Sequence, residues 1–175
     1  MTDLRFATES DLPTLMDLIN RAFAVEKFFK KNDRLNPEAT REYFHRGRFL
    51  VSEQQDHIDG CVFVELKGDR AYLGLLSVDP ARQKSGLGTR LVVAAEEYAR
   101  ELGAHHMDLT IVNVREELPA YYQRLGYAIS GAEPIPPEMI GPVTMPCHFV
   151  RMTKPLGKAR ESSLRKSPAT KKANS

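Results

Sequence analysis

Residues 71–103 combine a buried strand, a glycine-bearing loop and a helix, and this combination constrains the fold more than any other stretch. The apolar run from Tyr72 to Val78 predicts the strand, and apolar residues at helical spacing after Gly88 predict the helix. Glycine lets the backbone approach a ligand closely, and the first amides of a helix have no partner inside that helix. This geometry is therefore suited to holding a phosphate group.

The size and composition of the chain indicate one folded domain. Its 175 residues fit the usual range of roughly 100–200 residues per domain, and 42% of them are hydrophobic. No apolar run approaches the roughly 20 residues that span a bilayer, and the N-terminus does not resemble a signal peptide. The two cysteines, Cys61 and Cys147, make no disulfide framework, so a reduced, cytoplasmic setting is expected.

The C-terminal segment differs from the rest in charge. Residues 157–175 hold six Lys and Arg against one Glu, so the formal net charge of +2 divides into +5 there and −3 in residues 1–156. We therefore predict one domain over residues 1–156 and a basic, disordered tail over residues 157–175. The acidic body lacks the basic footprint of a nucleic-acid-binding protein, so neither nucleic acid nor a membrane is expected as a partner.

The loop from Gln83 to Gly88 differs from two common nucleotide-binding loops. A P-loop ends in Gly-Lys-Ser/Thr, which this loop lacks. A dinucleotide-binding loop has three glycines directly after its strand, whereas here residues 80–85 intervene and the third glycine is missing. The pattern that remains is Gln-x-x-Gly-x-Gly, and a nicotinamide-dependent oxidoreductase is not expected.

Two segments resemble the GNAT superfamily of acyl-CoA N-acyltransferases. Val78 through Gly88 resembles its acyl-CoA-binding motif, and Tyr122-Gln-Arg-Leu-Gly-Tyr127 resembles its Tyr-x-x-x-Gly-Phe/Tyr signature. The resemblance covers residues 3 to about 155. It implies an α+β fold with a central mixed, mostly antiparallel, twisted sheet of about six to seven strands and helices on both faces. It also implies an N-acetyltransferase that moves an acetyl group from acetyl-CoA, without a metal, to a primary amine.

The resemblance further implies where coenzyme A binds. The strand end would pair with the pantetheine arm, and one of its amides would polarise the thioester carbonyl. Amides of the loop and of the first helical turn would bind the pyrophosphate, with charge added by Arg82, Lys84 or Arg90. The residues predicted to bind the coenzyme are Leu76, Ser77, Val78, Gln83, Lys84, Ser85, Gly86, Leu87, Gly88, Thr89, Arg90, Asn113 and Arg115.

The catalytic roles follow from the same resemblance. Tyr122 would give a proton to the departing thiolate while the amine attacks directly in a ternary complex. Many relatives carry a glutamate on the strand before the glycine loop, but this strand has no acid. The base must then be Glu65, which lies in the predicted strand 58–66, or Glu26, which lies between the first two predicted helices, or water.

A second departure concerns the position seven residues before Tyr122, where many relatives have Asn and this chain has Arg115. Asn113 lies close by. Arg115 could contact an acidic substrate group or coenzyme A, or it could pair with Glu116 or Glu117. These departures favour an alternative, a non-catalytic acyl-CoA sensor or interaction module on the same fold, while Tyr122 favours an enzyme.

The sequence leaves the acceptor open between a small molecule and a peptide or protein, the donor open between acetyl and a longer acyl group, and the assembly open between monomer and homodimer. Residues 24–36 and 131–148 are expected to shape the acceptor pocket, and five prolines predict a loop over residues 133–146. The side chains that these segments offer are Glu26, Phe28, Phe29, Arg34, Met139, Met145 and His148.

Overall fold

The computed structural model describes residues 3–157, so the basic tail predicted over residues 157–175 lies, apart from Gly157, outside the described residues. The strands are β1 (Asp3–Phe6), β2 (Arg48–Gln54), β3 (His57–Lys67), β4 (Arg70–Val78), β5 (His106–Val112), β6 (Ala128–Glu133) and β7 (Phe149–Pro155). The helices are α1 (Leu12–Ala22), α2 (Pro37–Arg46), α3 (Leu87–Glu101), α4 (Leu118–Arg124) and α5 (Pro137–Ile140). Single 3-10 turns lie at Glu9–Asp11, Phe23–Phe28 and Pro80–Arg82.

The seven strands form one sheet in the order β1-β2-β3-β4-β5-β7-β6. Neighbouring strands are antiparallel except β4 and β5, which are parallel. A parallel pair needs a crossover connection, and α3 provides it. The expectation of a mixed, mostly antiparallel sheet of six to seven strands is confirmed.

Two hydrophobic cores lie on opposite faces of the sheet, because the side chains of a strand alternate between its faces. On β3, Val62 and Val64 belong to a core with the buried residues of α3, whereas Cys61 and Phe63 belong to a core with those of α1. All four side chains are at most 1% exposed. Burial of an aliphatic or aromatic side chain contributes roughly 1.5–3 kcal/mol, so both helical layers hold the sheet firmly. The expectation of helices on both faces is confirmed.

The sheet divides in its middle, between β4 and β5. These strands pair only where Arg70–Tyr72 faces His106–Asp108. Beyond that point β4 remains paired with β3 as far as Val78, and β5 remains paired with β7 as far as Val112. The two halves of the sheet therefore diverge and leave an opening between them.

The proline-rich segment is more ordered than the sequence predicted. It contains the short helix α5, which begins with Pro137 at a position where a missing N–H has no cost. Thr144 ties the segment to the end of the 3-10 turn that follows α1. Its amide donates to the Phe29 carbonyl and its hydroxyl donates to the Phe28 carbonyl, each at 2.8 Å. Two segments predicted to shape one pocket are thus joined.

Candidate active site

A cavity of about 640 Å³ fills the opening between β4 and β5 and is open to solvent. β4 and β5 form two of its walls. The others come from the glycine loop, the start of α3, α4 and the residues before it, the end of α1 and the segment after it, one residue of α5 and the first residue of β7. The lining residues are Ala22, Phe23, Glu26, Arg34, Tyr72, Leu73, Gly74, Leu75, Leu76, Val78, Gln83, Lys84, Gly88, Leu109, Thr110, Ile111, Val112, Arg115, Glu117, Leu118, Tyr121, Tyr122, Arg124, Met139 and Phe149.

A β-bulge shapes the wall that β4 contributes. Cys61 and Phe63 of β3 face Ser77 and Gly74 of β4, so β4 has one residue more than its partner over this stretch. Leu75 lies in the bulge with φ of 54°, a left-handed conformation that costs a leucine roughly 1–2 kcal/mol. Bulges re-aim the backbone beside active sites, and this one lies where β4 borders the cavity.

Two side chains hold the bulge by binding the Leu75 carbonyl. Ser77 Oγ donates to it at 3.0 Å, and Cys61 Sγ donates to it at 3.9 Å. Burial raises the pKa of the Cys61 thiol to about 12, which keeps its proton available for this contact. Ser77 therefore uses its buried side chain to support β4, and only its backbone belongs to the strand edge. Beyond Tyr72 that edge has no strand neighbour on the β5 side, so a ligand can pair with it.

The start of α3 forms a second wall made of backbone. Gly86 precedes the helix with φ of 82°, and among the described residues no side chain caps the first turn. A Cβ on Gly88 would lie 3.3 Å from Tyr121 Oη and 3.7 Å from Val78 Cγ2, so only glycine leaves this approach clear. Unpaired amides and the positive end of the helix dipole together favour a bound anion.

The predicted coenzyme residues divide into two groups. The cavity is lined by Leu76, Val78, Gln83, Lys84, Gly88 and Arg115. Others make internal contacts: Ser85 Oγ donates to the Arg82 carbonyl at 2.6 Å, and the Thr89 hydroxyl lies 3.2 Å from Tyr121 Oη. Leu87 packs into the core, while Gly86 and Arg90 belong to the turn in which the Arg90 amide donates to the Gly86 carbonyl.

Tyr122 lies on α4 and is 7% exposed, with its side chain on the cavity wall. The rings of Tyr121 and Tyr127 pack edge-on against it, with centroids 5.0 and 5.8 Å away. Burial raises the pKa of Tyr122 well above its usual value of 10, so the phenol keeps its proton at neutral pH. Within residues 3–157 its hydroxyl makes no hydrogen bond, which leaves the proton available to a ligand.

Charged side chains cluster around Glu26, which lines the cavity. Arg115 donates to Glu26 Oε2 at 3.0 Å and to Glu117 Oε1 at 2.7 Å, and Lys30 Nζ lies 3.7 Å from Glu26 Oε1. Glu26 is 5% exposed and Lys30 is 4% exposed. Burial lowers the pKa of Lys30, while the negative charge of Glu26 opposes this shift. Of the two pairings considered for Arg115, the structure contains the one with Glu117.

Glu65 and Asn113 do not line the cavity. Glu65 Oε2 lies 3.7 Å from Arg46 Nε, on the face of β3 that packs against α1 and α2. The side chain of Asn113 accepts from the His148 amide at 2.8 Å and so joins the end of β5 to the start of β7. Of the three predicted catalytic residues, the structure brings Tyr122 and Glu26 to one cavity and leaves Glu65 outside it.

Several lining residues were not singled out from the sequence. Tyr121 contacts the start of α3, and Tyr72 Oη lies 3.3 Å from Thr110 Oγ1 across the opening between β4 and β5. The doubled Tyr121-Tyr122 was the one signal that could have marked Tyr121. Of the proposed acceptor residues, Glu26, Arg34 and Met139 line the cavity, and Phe29 lines an adjoining space of about 40 Å³. Phe28, Met145 and His148 line neither.

Residues 3–157 contain neither a metal-binding cluster nor a membrane-spanning helix. No three or more His, Cys, Asp or Glu side chains in this range are grouped so that they could hold a metal ion. None of the helices in this part of the chain has the length and apolar character that crossing a membrane requires.

Comparison with known sequences gives two matches. The sequence model of the acetyltransferase (GNAT) family matches residues 12–127. A rice protein (Oryza sativa subsp. japonica) named "Probable glucosamine 6-phosphate N-acetyltransferase 2" is 34% identical over 79 residues. That match covers 42% of this chain and 46% of the rice protein, so the chain spans about half the length of this relative.

Solved structures share the fold over nearly the whole chain. The ribosomal-protein-S18-alanine N-acetyltransferase from Escherichia coli matches with a TM-score of 0.73 and 17% identity, covering 93% of this chain and 98% of that one. The yncA protein from Salmonella typhimurium, solved with its cofactor acetyl-CoA, matches with a TM-score of 0.71 and 19% identity, covering 94% and 99%. At these identities the likeness concerns the fold, and the GNAT fold expected from the sequence is confirmed.

Proposed function

This chain belongs to the acetyltransferase (GNAT) family, a family of acetyl-CoA-dependent acyltransferases, and we propose that it transfers an acetyl group from acetyl-CoA to a primary amine. One observation carries the proposal. The buried, protonated Tyr122 opens into the same cavity as the unpaired edge of β4 and Gly88 at the start of α3. A proton donor can protonate the departing thiolate, a strand edge can pair with the pantetheine arm, and a helix start can bind the pyrophosphate.

The donor would lie along β4 and end at α3. Its pantetheine arm would pair with the backbone of Leu76 to Val78, and an amide there would polarise the thioester carbonyl. The pyrophosphate would bind the amides between Gln83 and Thr89, with Lys84 adding charge from the cavity wall. The Arg82 guanidinium lies 3.4 Å from the buried carboxylate of Asp59, which supports a role in holding the loop.

The reaction proceeds by direct attack in a ternary complex. The neutral amine nitrogen bonds to the thioester carbon, the carbon–sulfur bond breaks, and the sulfur takes the proton of the Tyr122 hydroxyl. The new amide nitrogen loses its extra proton, and the Tyr122 phenolate recovers one from solvent. Acetyl-CoA and an amine thus become an amide and free coenzyme A, with no acetyl group on the protein.

The route of the acceptor's proton depends on Glu26. Both of its oxygens already have cationic partners, Arg115 at 3.0 Å and Lys30 at 3.7 Å. Because Glu26 is engaged in this way, we assign water at the open end of the cavity to taking the proton. Glu65 lies outside the cavity and has no part in this route.

The names of similar proteins leave both kinds of acceptor open. The rice relative is named for an amino sugar phosphate, and the Escherichia coli structure is named for the alanine of a ribosomal protein. Primary amines on small molecules and on polypeptides are therefore both candidates for this chain.

One observation favours a second function, a non-catalytic acyl-CoA-binding module. Both carboxylates that line the cavity, Glu26 and Glu117, already bind Arg115, so neither is an unengaged base. Tyr122 favours the enzyme, because a module that only binds acyl-CoA has no use for a proton donor at this place.

Two measurements on the full chain separate the two functions. Calorimetry with acetyl-CoA reports donor binding, and release of free thiol reports turnover across a panel of small amines and peptides. We expect binding together with thiol release that depends on the amine. Binding without turnover on any amine supports the module instead, and absence of acetyl-CoA binding contradicts both functions.

A further inference from the structure

Arg34 occupies an unusual position on the acceptor side of the cavity. It follows the 3-10 turn Phe23–Phe28, is half-buried, and lines both the large cavity and the adjoining space. Its guanidinium carbon lies 5.9 Å from the Phe23 ring centroid and 6.0 Å from that of Tyr43. Its Nη2 donates to Tyr43 Oη at 3.2 Å. These contacts fix the guanidinium in place without neutralising it.

The other basic side chains around the cavity differ from Arg34. Arg115 binds two carboxylates, Lys30 lies beside Glu26, and Lys84 and Arg124 are exposed to solvent. Over residues 3–157, no carboxylate lies within ion-pair distance of Arg34, which leaves the charge of a half-buried cation uncompensated.

Arg34 also keeps hydrogen-bond donors that no contact uses. A guanidinium has five N–H donors, and the contact with Tyr43 uses one of them. Tyr43 is only 8% exposed and lines neither space, so its hydroxyl holds the guanidinium in position and leaves the other donors to a ligand. The remaining donors of Arg34 can therefore meet on one ligand group, because a planar guanidinium fork matches a carboxylate or a phosphate-type group.

We infer that Arg34 binds an anionic group on the acceptor, and that the acceptor is an amine carrying a carboxylate or a phosphate-type group. The inference rests on the proposed function and narrows its substrate class. The amine end of the acceptor would then lie toward Tyr122, which lines the large cavity together with Arg34. Met139 and Phe149 also line both spaces, so the part of the acceptor between its two charges contacts apolar side chains.

The test compares acceptors that differ only in the anionic group. Each set holds an amino acid, the aminophosphonate of the same skeleton and the simple amine without either group, for example phenylalanine, its phosphonate analogue and phenethylamine. Thiol release is measured for each at saturating acetyl-CoA. We expect kcat/KM to be at least about tenfold higher for one anionic member than for its neutral counterpart. The better of the two anions identifies the group.

Variants at Arg34 then locate the effect. Arg34→Gln should lower kcat/KM for anionic acceptors about 10- to 100-fold, mainly by raising KM. For the amine without an anionic group, kcat/KM should change less than about twofold. Arg34→Lys keeps the charge but loses the fork, and should give an intermediate loss. Arg41→Gln makes the same change at an exposed position of α2 and serves as the matched control. Acetyl-CoA affinity should be unchanged in all three.

The inference is overturned if anionic and neutral members of each set react alike, or if Arg34→Gln affects both equally. Turnover of amines without an anionic group, and of no others, leaves the proposed function standing and contradicts only the acceptor class.

If acetyl-CoA binds but no amine reacts, the proposed function fails. The subsite is then tested by calorimetry of the coenzyme A-saturated protein with the same amino acids and aminophosphonates. Binding that does not weaken in Arg34→Gln overturns the subsite as well.

Discussion

The proposed donor side and the proposed acceptor side of the cavity consist of different kinds of chemical group. The donor side consists of β4, the glycine loop and the start of α3, and it offers mainly backbone groups: a strand edge, a bulge and unpaired amides. The acceptor side consists of side chains brought from distant segments, above all Glu26, Arg34 and Arg115. A backbone site recognises what all acyl-CoA molecules share, whereas a side-chain site can select one acceptor.

Tyr122 lies where the two sides meet, and its removal should have the largest effect. Tyr122→Phe keeps the ring and its packing but removes the proton for the leaving thiolate. We expect kcat to fall about 10²- to 10⁴-fold, with the Kd for acetyl-CoA nearly unchanged. Steady-state kinetics and calorimetry check this, and Tyr98→Phe on α3 is a control at a tyrosine that does not line the cavity. A fully active Tyr122→Phe would remove Tyr122 from its role.

Gly88→Val should weaken the donor side alone. A Cβ at position 88 would lie 3.3 Å from Tyr121 Oη, so the valine side chain would meet that hydroxyl and obstruct the start of α3. We expect the Kd for acetyl-CoA to rise about 10- to 30-fold while the acceptor KM stays within about twofold. Glu97→Val places the same residue on the exposed face of α3 as a control.

Combining Gly88→Val with Arg34→Gln sharpens the comparison further. If the two sides are separate, the losses in kcat/KM multiply, because residues without shared partners contribute independently. A double variant no worse than the poorer single variant would contradict the separation.

Ser77→Ala should have a moderate effect through the bulge. The Leu75 carbonyl would lose its 3.0 Å hydrogen bond, at a cost of about 1 kcal/mol in the free energy of unfolding. Since the strained β4 edge would become less fixed, we expect kcat/KM for acetyl-CoA to fall about two- to fivefold. Ser52 provides the control, because it is a buried serine whose hydroxyl has no hydrogen-bond partner. Ser52→Ala should lower neither quantity, because it removes no hydrogen bond, and equal losses in both variants would argue against the bulge.

The smallest effect concerns stability in alkaline solution. Burial raises the folded-state pKa of Tyr122 above its value of about 10 in the unfolded chain. Above pH 10 the unfolded chain therefore loses this proton first, and the free energy of unfolding falls as pH rises. One such group contributes at most about 1.4 kcal/mol per pH unit. Denaturant titrations at pH 9 to 11 should show that the free energy of unfolding falls less steeply with pH in Tyr122→Phe than in the unsubstituted protein. An equally steep fall in both proteins would contradict a raised pKa for the buried Tyr122.

The same contrast explains what the sequence could predict. The donor side depends on particular residues at fixed spacing, such as glycines in the 83–88 loop, so it was predicted together with the sheet and Tyr122. Period-two alternation placed Glu65 on the correct face of β3 relative to Cys61 and Phe63, but it cannot tell which face borders a cavity.

The acceptor side depends on contacts that no local pattern encodes. Arg115 and Glu26 are 89 positions apart, and their ion pair follows only from the docking of the segment after α1 against the end of β5. The side-chain role of Ser77 depends on a bulge that hydrophobic spacing does not reveal. The short helix α5 was hidden because proline content predicts a loop, although proline is also favoured at a helix start.

Amide hydrogen exchange with and without acetyl-CoA tests most directly whether the donor lies on backbone groups of the divided sheet. We predict that acetyl-CoA slows exchange in residues 75–78 and 86–90, and leaves exchange in residues 23–36 unchanged until an acceptor is added. Exchange that slows first around Arg34, or that stays unchanged in both β4 and the start of α3, would contradict the assignment of the donor site.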